Sequence, residues 1–151
     1  MHFESELWLP RPRDEVFAFF SNAANLEALT PPWLHFRILT AKPITMREGT
    51  LIDYRIRVHG IPITWQSAIT VWDPPHRFLD VQRRGPYRQW VHTHSFEEEA
   101  RGGTTVGDSV EFDVRLSFAV GWFVMRDVRQ IFAFRRQALL QRFGATLALE
   151  P

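Results

Sequence analysis

Between Leu34 and Arg115 the chain is cut by short turn signals into apolar segments rich in β-branched and aromatic residues, and only afterwards does the apolar spacing become helical. The segments 36–40, 51–58, 61–72, 77–83, 87–97 and 104–115 read as strands. Their dividers are Arg47-Glu48-Gly49, His59-Gly60, Asp73-Pro74-Pro75, Gly85-Pro86 and Arg101-Gly102-Gly103. Connections this short join antiparallel neighbours. Upstream, residues 2–9 alternate as a further strand ended by Pro10. Pro12 with Asp14 and Glu15 then starts a short helix with Val16, Phe17 and Phe20 on its apolar face. Leu26 and Leu29 predict a second short helix, stopped by Pro31-Pro32. Downstream, Met125, Val128, Phe132, Leu139 and Phe143 fall at helical spacing over 121–143, with Gly144 as a stop. A curved sheet must cover its apolar face, and this last helix is the one element long enough. With 151 residues the chain is expected to form one domain over 1–151.

Parity along the strands sorts side chains into two faces. A two-residue turn at His59-Gly60 sets Val58 against Ile61, Tyr54 against Trp65 and Ile52 against Ser67. The next turns set Val71 against Phe78, Asp80 against Trp90 and Phe78 against His92; the last sets Phe96 against Val106, His94 against Asp108 and Trp90 against Phe112. One face collects Tyr54, Ile56, Trp65, Ile69, Phe78, Trp90, Phe96, Val106, Val110 and Phe112, and the other carries Asp53, Arg55, Arg57, Gln66, Glu111 and Asp113. Set into the apolar face are Ser67, Asp80, Gln82, Arg88, His92, His94 and Asp108. Burying polar groups is costly unless they are paired or used, which makes these the informative positions.

Composition removes several function classes. Eighteen basic against seventeen acidic residues leave no footprint for nucleic acid, and the absence of cysteine removes thiol chemistry, disulfides and thiolate metal sites. The longest apolar stretch, 118–125, is too short for stable membrane insertion. Acid in the first six residues speaks against a secretory leader, and a cytoplasmic location is expected. Neither a Gly-rich phosphate loop nor a Ser nucleophile elbow occurs. Thirteen Phe and six Trp against two Tyr are a large, weakly hydrogen-bonding load, suited to a solid core or to the lining of a cavity.

The run Phe78-x-Asp80-x-Gln82-x-x-Gly85-Pro86-Tyr87-x-x-Trp90-x-His92-x-His94-x-Phe96, followed by Gly103-Thr104 and Asp108, resembles a bacterial branch of the START-related helix-grip (SRPBCC) superfamily, that of polyketide cyclase/dehydrases and lipid-transport proteins. The resemblance extends over nearly the whole chain. It implies an α+β fold: a seven-stranded curved antiparallel sheet around a long C-terminal helix, two short helices after the first strand, and a cavity between sheet and helix. It implies no metal and no cofactor. Members of this superfamily bind lipids, sterols, quinones or polyketides, some cyclise or dehydrate polyketides, and similar domains occur beside epimerase-like proteins.

Three readings of function stand on these residues. The first is a carrier of a hydrophobic small molecule, with Tyr54, Trp65, Ser67, Phe78, Asp80, Gln82, Arg88, Trp90, Phe96, Val110, Phe112, Val128 and Phe132 as ligand-facing candidates. The second is a cofactor-independent cyclase or dehydratase with His94, Asp108 and His92 as catalytic candidates, Asp108 fixing the His94 tautomer. Against it, the same cluster serves as a satisfied structural network. The third is an interaction module beside an epimerase-like enzyme. Of the helix arginines 126, 129, 135, 136 and 142, most are expected in solvent, with one turned inward as an alternative.

Overall fold

The structure is a computed structural model that describes residues 1–115 and 118–144. Strand β1 (His2–Leu9) leads through Pro12 into α1 (Arg13–Phe20), whose first turn carries Asp14 and Glu15 and whose Val16, Phe17, Phe19 and Phe20 are buried. One turn of helix, α2 (Leu26–Leu29), follows, and Pro31 and Pro32 divert the chain into a tight turn ending at Leu34. Then come β2 (Arg37–Ile38), β3 (Leu51–Val58), β4 (Ile61–Asp73), β5 (Arg77–Arg84), β6 (Gln89–Glu98) and β7 (Thr104–Asp113). Helix α3 (Phe118–Leu139) closes the fold and widens into a π-helical turn over Leu140–Gly144. Gly144, expected as the stop, is the last described residue, and residues 145–151 of the expected domain lie outside those described.

The seven strands form one antiparallel sheet in the order β1-β7-β6-β5-β4-β3-β2. This is the helix-grip arrangement. His59 and Gly60 both take positive φ, 50° and 80°, the twist a two-residue hairpin needs, and Val58 pairs with Ile61 as expected. Gly103 also has positive φ, and a Cβ there would lie 2.5 Å from the Leu9 carbonyl oxygen, so the β6–β7 turn closes against the end of β1 only with glycine.

Two registers differ from the expected ones. An extra residue in β4 between Ile69 and Val71 moves Trp72, not Val71, opposite Phe78, and turns the indole onto Phe17 and Phe78 at 5.3 and 5.4 Å. Between β5 and β6 the pairs are Phe78 with His94 and Asp80 with His92, two residues from the expected register. The cause is a longer connection. Pairing stops at Val81 and Val91, and Gln82 holds the loop by donating to the Tyr87 carbonyl (2.9 Å) and accepting from the Tyr87 N–H (3.2 Å). A shift of two preserves parity, so the face assignment stands. The β6–β7 register is the expected one, with His94 opposite Asp108.

The inner face divides into two apolar clusters. One gathers Leu9, the α1 phenylalanines, Ile69, Phe78, Phe96, Val106, Leu139 and Phe143; the other gathers Val110, Phe112, Val128 and Phe132. Between them, along the same strands and the same helix stripe, lie His92, His94, Asp108 and Arg135, all buried. Phe96 is 1% exposed and touches Phe17, Phe20 and Phe78, with ring centroids 5.0–6.2 Å away. Phe96→Ala is expected to cost about 3–5 kcal/mol of unfolding free energy, read by urea denaturation, whereas Trp122→Ala, 62% exposed, changes it by less than about 0.5 kcal/mol.

Candidate functional site

Inward positions on β3 to β7 place a polar stripe across the strands. Tyr54, Ser67, Asp80, His92, His94 and Asp108 follow one another from β3 to β7. Helix α3 completes it. Val128, Phe132, Arg135 and Leu139 occupy one buried stripe at helical spacing, so Arg135 points at the sheet from a position otherwise held by hydrocarbon.

Arg135 is 6% exposed and donates from Nη2 to Asp108 Oδ1 at 3.3 Å and to His94 Nδ1 at 3.2 Å. Its guanidinium lies over Phe20 and Phe132, 5.0 and 5.8 Å from the ring centres. His92 Nε2 donates to the same Asp108 Oδ1 at 2.8 Å. His94 Nδ1 is 3.6 Å from that oxygen, beyond hydrogen-bond range. The expected His94–Asp108 couple is therefore corrected to His92–Asp108. Although His94 and Asp108 are opposite in register, the Arg135 fork takes the His94 lone pair and His92 reaches the carboxylate. The rings stack in sequence, Phe78 on His94 at 4.2 Å and His94 on His92 at 3.7 Å, and Phe132 meets His92 edge-on at 5.4 Å.

The two carboxyl groups are driven apart. Burial acts to raise the Asp108 pKa, but Arg135 and the His92 hydrogen bond outweigh it and hold the group below its ordinary 3.8. Burial raises the Asp80 pKa above 3.8 against the opposing pull of His92, the Ser67 hydroxyl and Arg135. His94 is pushed well below 6.5 by burial, then by the charges of His92 and Arg135, and is neutral. Tyr54 is raised well above 10.0 by burial and the nearby Asp80 charge.

A cavity of about 140 Å³ lies between sheet and α3, lined by Leu26, Leu29, Thr30, Leu34, Phe36, Ile52, Tyr54, Ile56, Ser67, Asp80, Trp90, His92, Val128, Ile131, Phe132 and Arg135. A smaller space of about 20 Å³, bordered by Phe20, Met46, Ile69, Phe78 and His94, shares Leu26, Leu29, Ile52 and Asp80 with it. On another side, Leu34, Ile56 and Ile131 also border an outer vestibule of about 340 Å³, where the β3–β4 tip meets α3 through His59 Nε2 and Asp127 Oδ2 at 2.9 Å. The inner cavity matches the roughly 150 Å³ that admits benzene in an apolar protein core.

Of the expected ligand-facing residues, Tyr54, Ser67, Asp80, Trp90, Val128 and Phe132 border the main cavity, with His92 among them, and Phe78 and His94 border the smaller space. Trp65, Phe96, Val110 and Phe112 are buried packing residues outside both linings, and Gln82 braces the loop. Arg88 is corrected outward. The loop breaks strand parity, Arg88 reaches Asp113 at 3.6 Å in solvent, and Tyr87 turns in against Trp65, Trp90 and Phe112. Asp108 stands behind the histidines, outside both linings. Leu26, Leu29, Leu34, Phe36 and Ile131 were not singled out by the strand pattern because the segment before β3 and the flank of α3 carry them. Arg135 had a signal, its place in the heptad of buried helix positions.

Asp80, His92 and His94 bring potential metal-ligating atoms within 4.8 Å of one another. In the present arrangement His94 Nδ1 accepts from Arg135, which leaves the proton on Nε2, and His92 Nε2 is committed to Asp108. A cation would have to displace Arg135, so the trio is arranged as a hydrogen-bonding cluster.

Two outcomes test this electrostatic layout. Asp108→Ala leaves Arg135 buried without its carboxylate and is expected to cost about 3–5 kcal/mol in urea unfolding. For His94, the folded pKa lies below the unfolded 6.5, so between the two the unfolded chain binds more protons and stability falls as pH drops through that window. Asp80 has the opposite sign just above 3.8, where the folded state binds the extra proton and stability falls as pH rises. Unfolding curves at about pH 7 and pH 5 are therefore expected to show the wild type losing stability relative to His94→Gln on acidification, by up to about 1.4 kcal/mol per pH unit below 6.5.

Among the described residues no helix is long and apolar enough to cross a membrane. Comparison with curated proteins gives no match. Solved structures share the fold. A protein from Chromobacterium violaceum superposes with a TM-score of 0.73 at 13% identity, over 95% of this chain and 97% of that one. The Zhui aromatase/cyclase from Streptomyces sp. R1128 does so with 0.73 at 16% identity, over 94% and 92%. A nucleoside-diphosphate sugar epimerase from Corynebacterium glutamicum matches with 0.67 at 22% identity, over 92% of this chain and 28% of that one. Residues 9–143 match the family described as polyketide cyclase / dehydrase and lipid transport, and the chain belongs to that family.

Proposed function

We propose that this protein binds a compact hydrophobic small molecule, one or two fused rings in size, between the sheet and α3, and carries it shielded from water. The observation that supports this reading most directly is the cavity itself. Its wall is mostly hydrocarbon and aromatic, with its polar groups gathered on the Tyr54, Ser67, Asp80, His92 and Arg135 side, the composition of a small-molecule site. A ligand larger than one ring extends past Leu34, Ile56 and Ile131 into the vestibule.

A second reading, a cofactor-independent cyclase or dehydratase, is favoured by one feature: His92 borders the cavity while its Nε2 is held by Asp108 at 2.8 Å. That bond fixes the tautomer and leaves Nδ1 as a base in a water-poor space. The fold shared with the Zhui aromatase/cyclase is compatible with this reading. In it His92 takes the role first expected of His94, whose Nδ1 is occupied by Arg135.

Native mass spectrometry of protein purified from cells, with solvent extraction of what it carries, is expected to reveal a bound quinone or polyketide-like compound of one or two fused rings. Ile131→Trp, which fills the passage between cavity and vestibule, is expected to weaken binding of that compound by tenfold or more, on the order of 1.4 kcal/mol, without lowering stability by a similar amount. Unchanged binding to this variant would place the ligand elsewhere. Turnover of a cyclisable substrate by wild type but not by His92→Gln decides for the enzyme.

A further inference from the structure

Helix α3 presents two opposite stripes. Val128, Phe132, Arg135 and Leu139 are buried against the sheet, while Trp122, Arg126, Arg129, Ala133 and Arg136 form one exposed line on the far side, at alternating spacings of four and three residues. The line runs about 21 Å along the axis. Asp127 is the one acid in the sequence 118–144, and it turns aside to His59 at 2.9 Å, so no acid lies along this line. None of the ion pairs among the described residues takes Arg126, Arg129 or Arg136; Arg136 donates to the Glu6 carbonyl oxygen at 3.2 Å. Large rings stand in solvent beside these charges. Trp122 and Phe123 are 62% and 58% exposed and meet edge-on at 5.1 Å. Trp33, 53% exposed, meets Phe134 edge-on at 5.9 Å and borders a shallow groove with Gln130, Ala133 and Gln137. In a chain whose charges nearly balance, arginines and exposed rings are thus gathered on one helix face, and ring surface left in water is a mark of an interaction site.

We propose that the outer face of α3 docks on an anionic lipid surface, with Trp122, Phe123 and Trp33 seated in the headgroup layer and Arg126, Arg129 and Arg136 paired with lipid phosphates. The helix lies along the bilayer and does not cross it, because its other stripe is committed to the sheet. Rings and charges share the convex surface of a single helix, so a flat, fluid partner reaches all of them at once. Lipid headgroups suit both kinds of side chain: indole and phenyl rings rest at interfacial depth, and the guanidinium fork matches a phosphate. Each arginine adds to the attraction of an anionic leaflet. Trp33 and Gln130 border the vestibule as well as the outer groove, so a docked protein holds the mouth of the vestibule beside the lipid.

Co-sedimentation of the full chain with vesicles of phosphatidylcholine, alone or in equal mixture with phosphatidylglycerol, tests this. The wild type is expected to bind the mixed vesicles about tenfold more tightly than phosphatidylcholine alone, and added salt weakens that binding. Arg126→Gln combined with Arg129→Gln lowers affinity for the mixed vesicles by about tenfold, and so does Trp122→Ala combined with Phe123→Ala. All four positions are exposed, so both variants melt with the wild type. Arg55→Gln combined with Arg57→Gln, the same change of charge at exposed positions on the outer face of β3, leaves vesicle binding unchanged. Failure of the wild type to bind the mixed vesicles overturns the inference. So does an equal loss in the β3 variant, which reduces the attraction to net charge. Undiminished vesicle binding after removal of both rings overturns it too, and competition by poly-glutamate then assigns the face to an acidic protein. These readouts involve no guest in the cavity, so their failure leaves the carrier reading to its own test, the mass of the compound the protein carries.

Discussion

The contact of Arg135 with Asp108 governs how helix and sheet meet. Both residues sit where hydrocarbon would otherwise continue: Asp108 between Val106 and Val110 on β7, Arg135 between Phe132 and Leu139 on α3. Taking both charges out of water is expensive, and their attraction repays it only with good geometry and satisfied neighbours. His92 supplies one neighbour, and the faces of Phe20 and Phe132 supply another. The pair therefore fixes the axial and rotational position of α3: sliding the helix by a turn strands two charges in a dry interior. Hydrophobic packing alone tolerates such shifts far better.

That polar layer also explains why there is space inside. Above and below it the rings close on one another, as in the Phe17, Phe20, Phe78 and Phe96 contacts at one end and the Trp65, Tyr87, Trp90 and Phe112 contacts at the other. At the layer itself, Ser67 and Asp80 are small and polar, while the histidines stack on Phe78 instead of spreading over the sheet. The aromatic load is thus divided. Most of it builds the two solid ends, and Tyr54, Trp90, Phe36 and Phe132 face the hollow between them.

Sheet, helix and inward face were legible in the sequence because they depend on period and turn chemistry. His59-Gly60 fixes its hairpin through two positive-φ positions, and the β6–β7 turn gives the register of His94 with Asp108 directly. What was not legible depends on atoms and not on period. The extra residue beside Val71 and the Gln82 brace are decided by local hydrogen bonding and shift two registers without altering composition. Which histidine reaches Asp108 depends on a side chain 27 residues downstream of it, since Arg135 settles the question. Arg88 and Tyr87 exchange places because a loop obeys no alternation. Parity names a face but carries no information on volume, so the cavity followed only from the packing of the segment before β3.

The anchored helix determines which wall of the cavity can yield. Lifting α3 breaks a buried charge pair, a loss of about 3–5 kcal/mol when one partner goes missing. The opposite wall, formed by Leu26, Leu29, Leu34 and Phe36, is held by single turns of helix and a two-residue strand, and the β3–β4 tip by one exposed His59–Asp127 contact of the kind that contributes about 0–1 kcal/mol. The weakly held wall of the cavity is therefore the hairpin tip with the α2–β2 segment, and α3 is its stationary jamb.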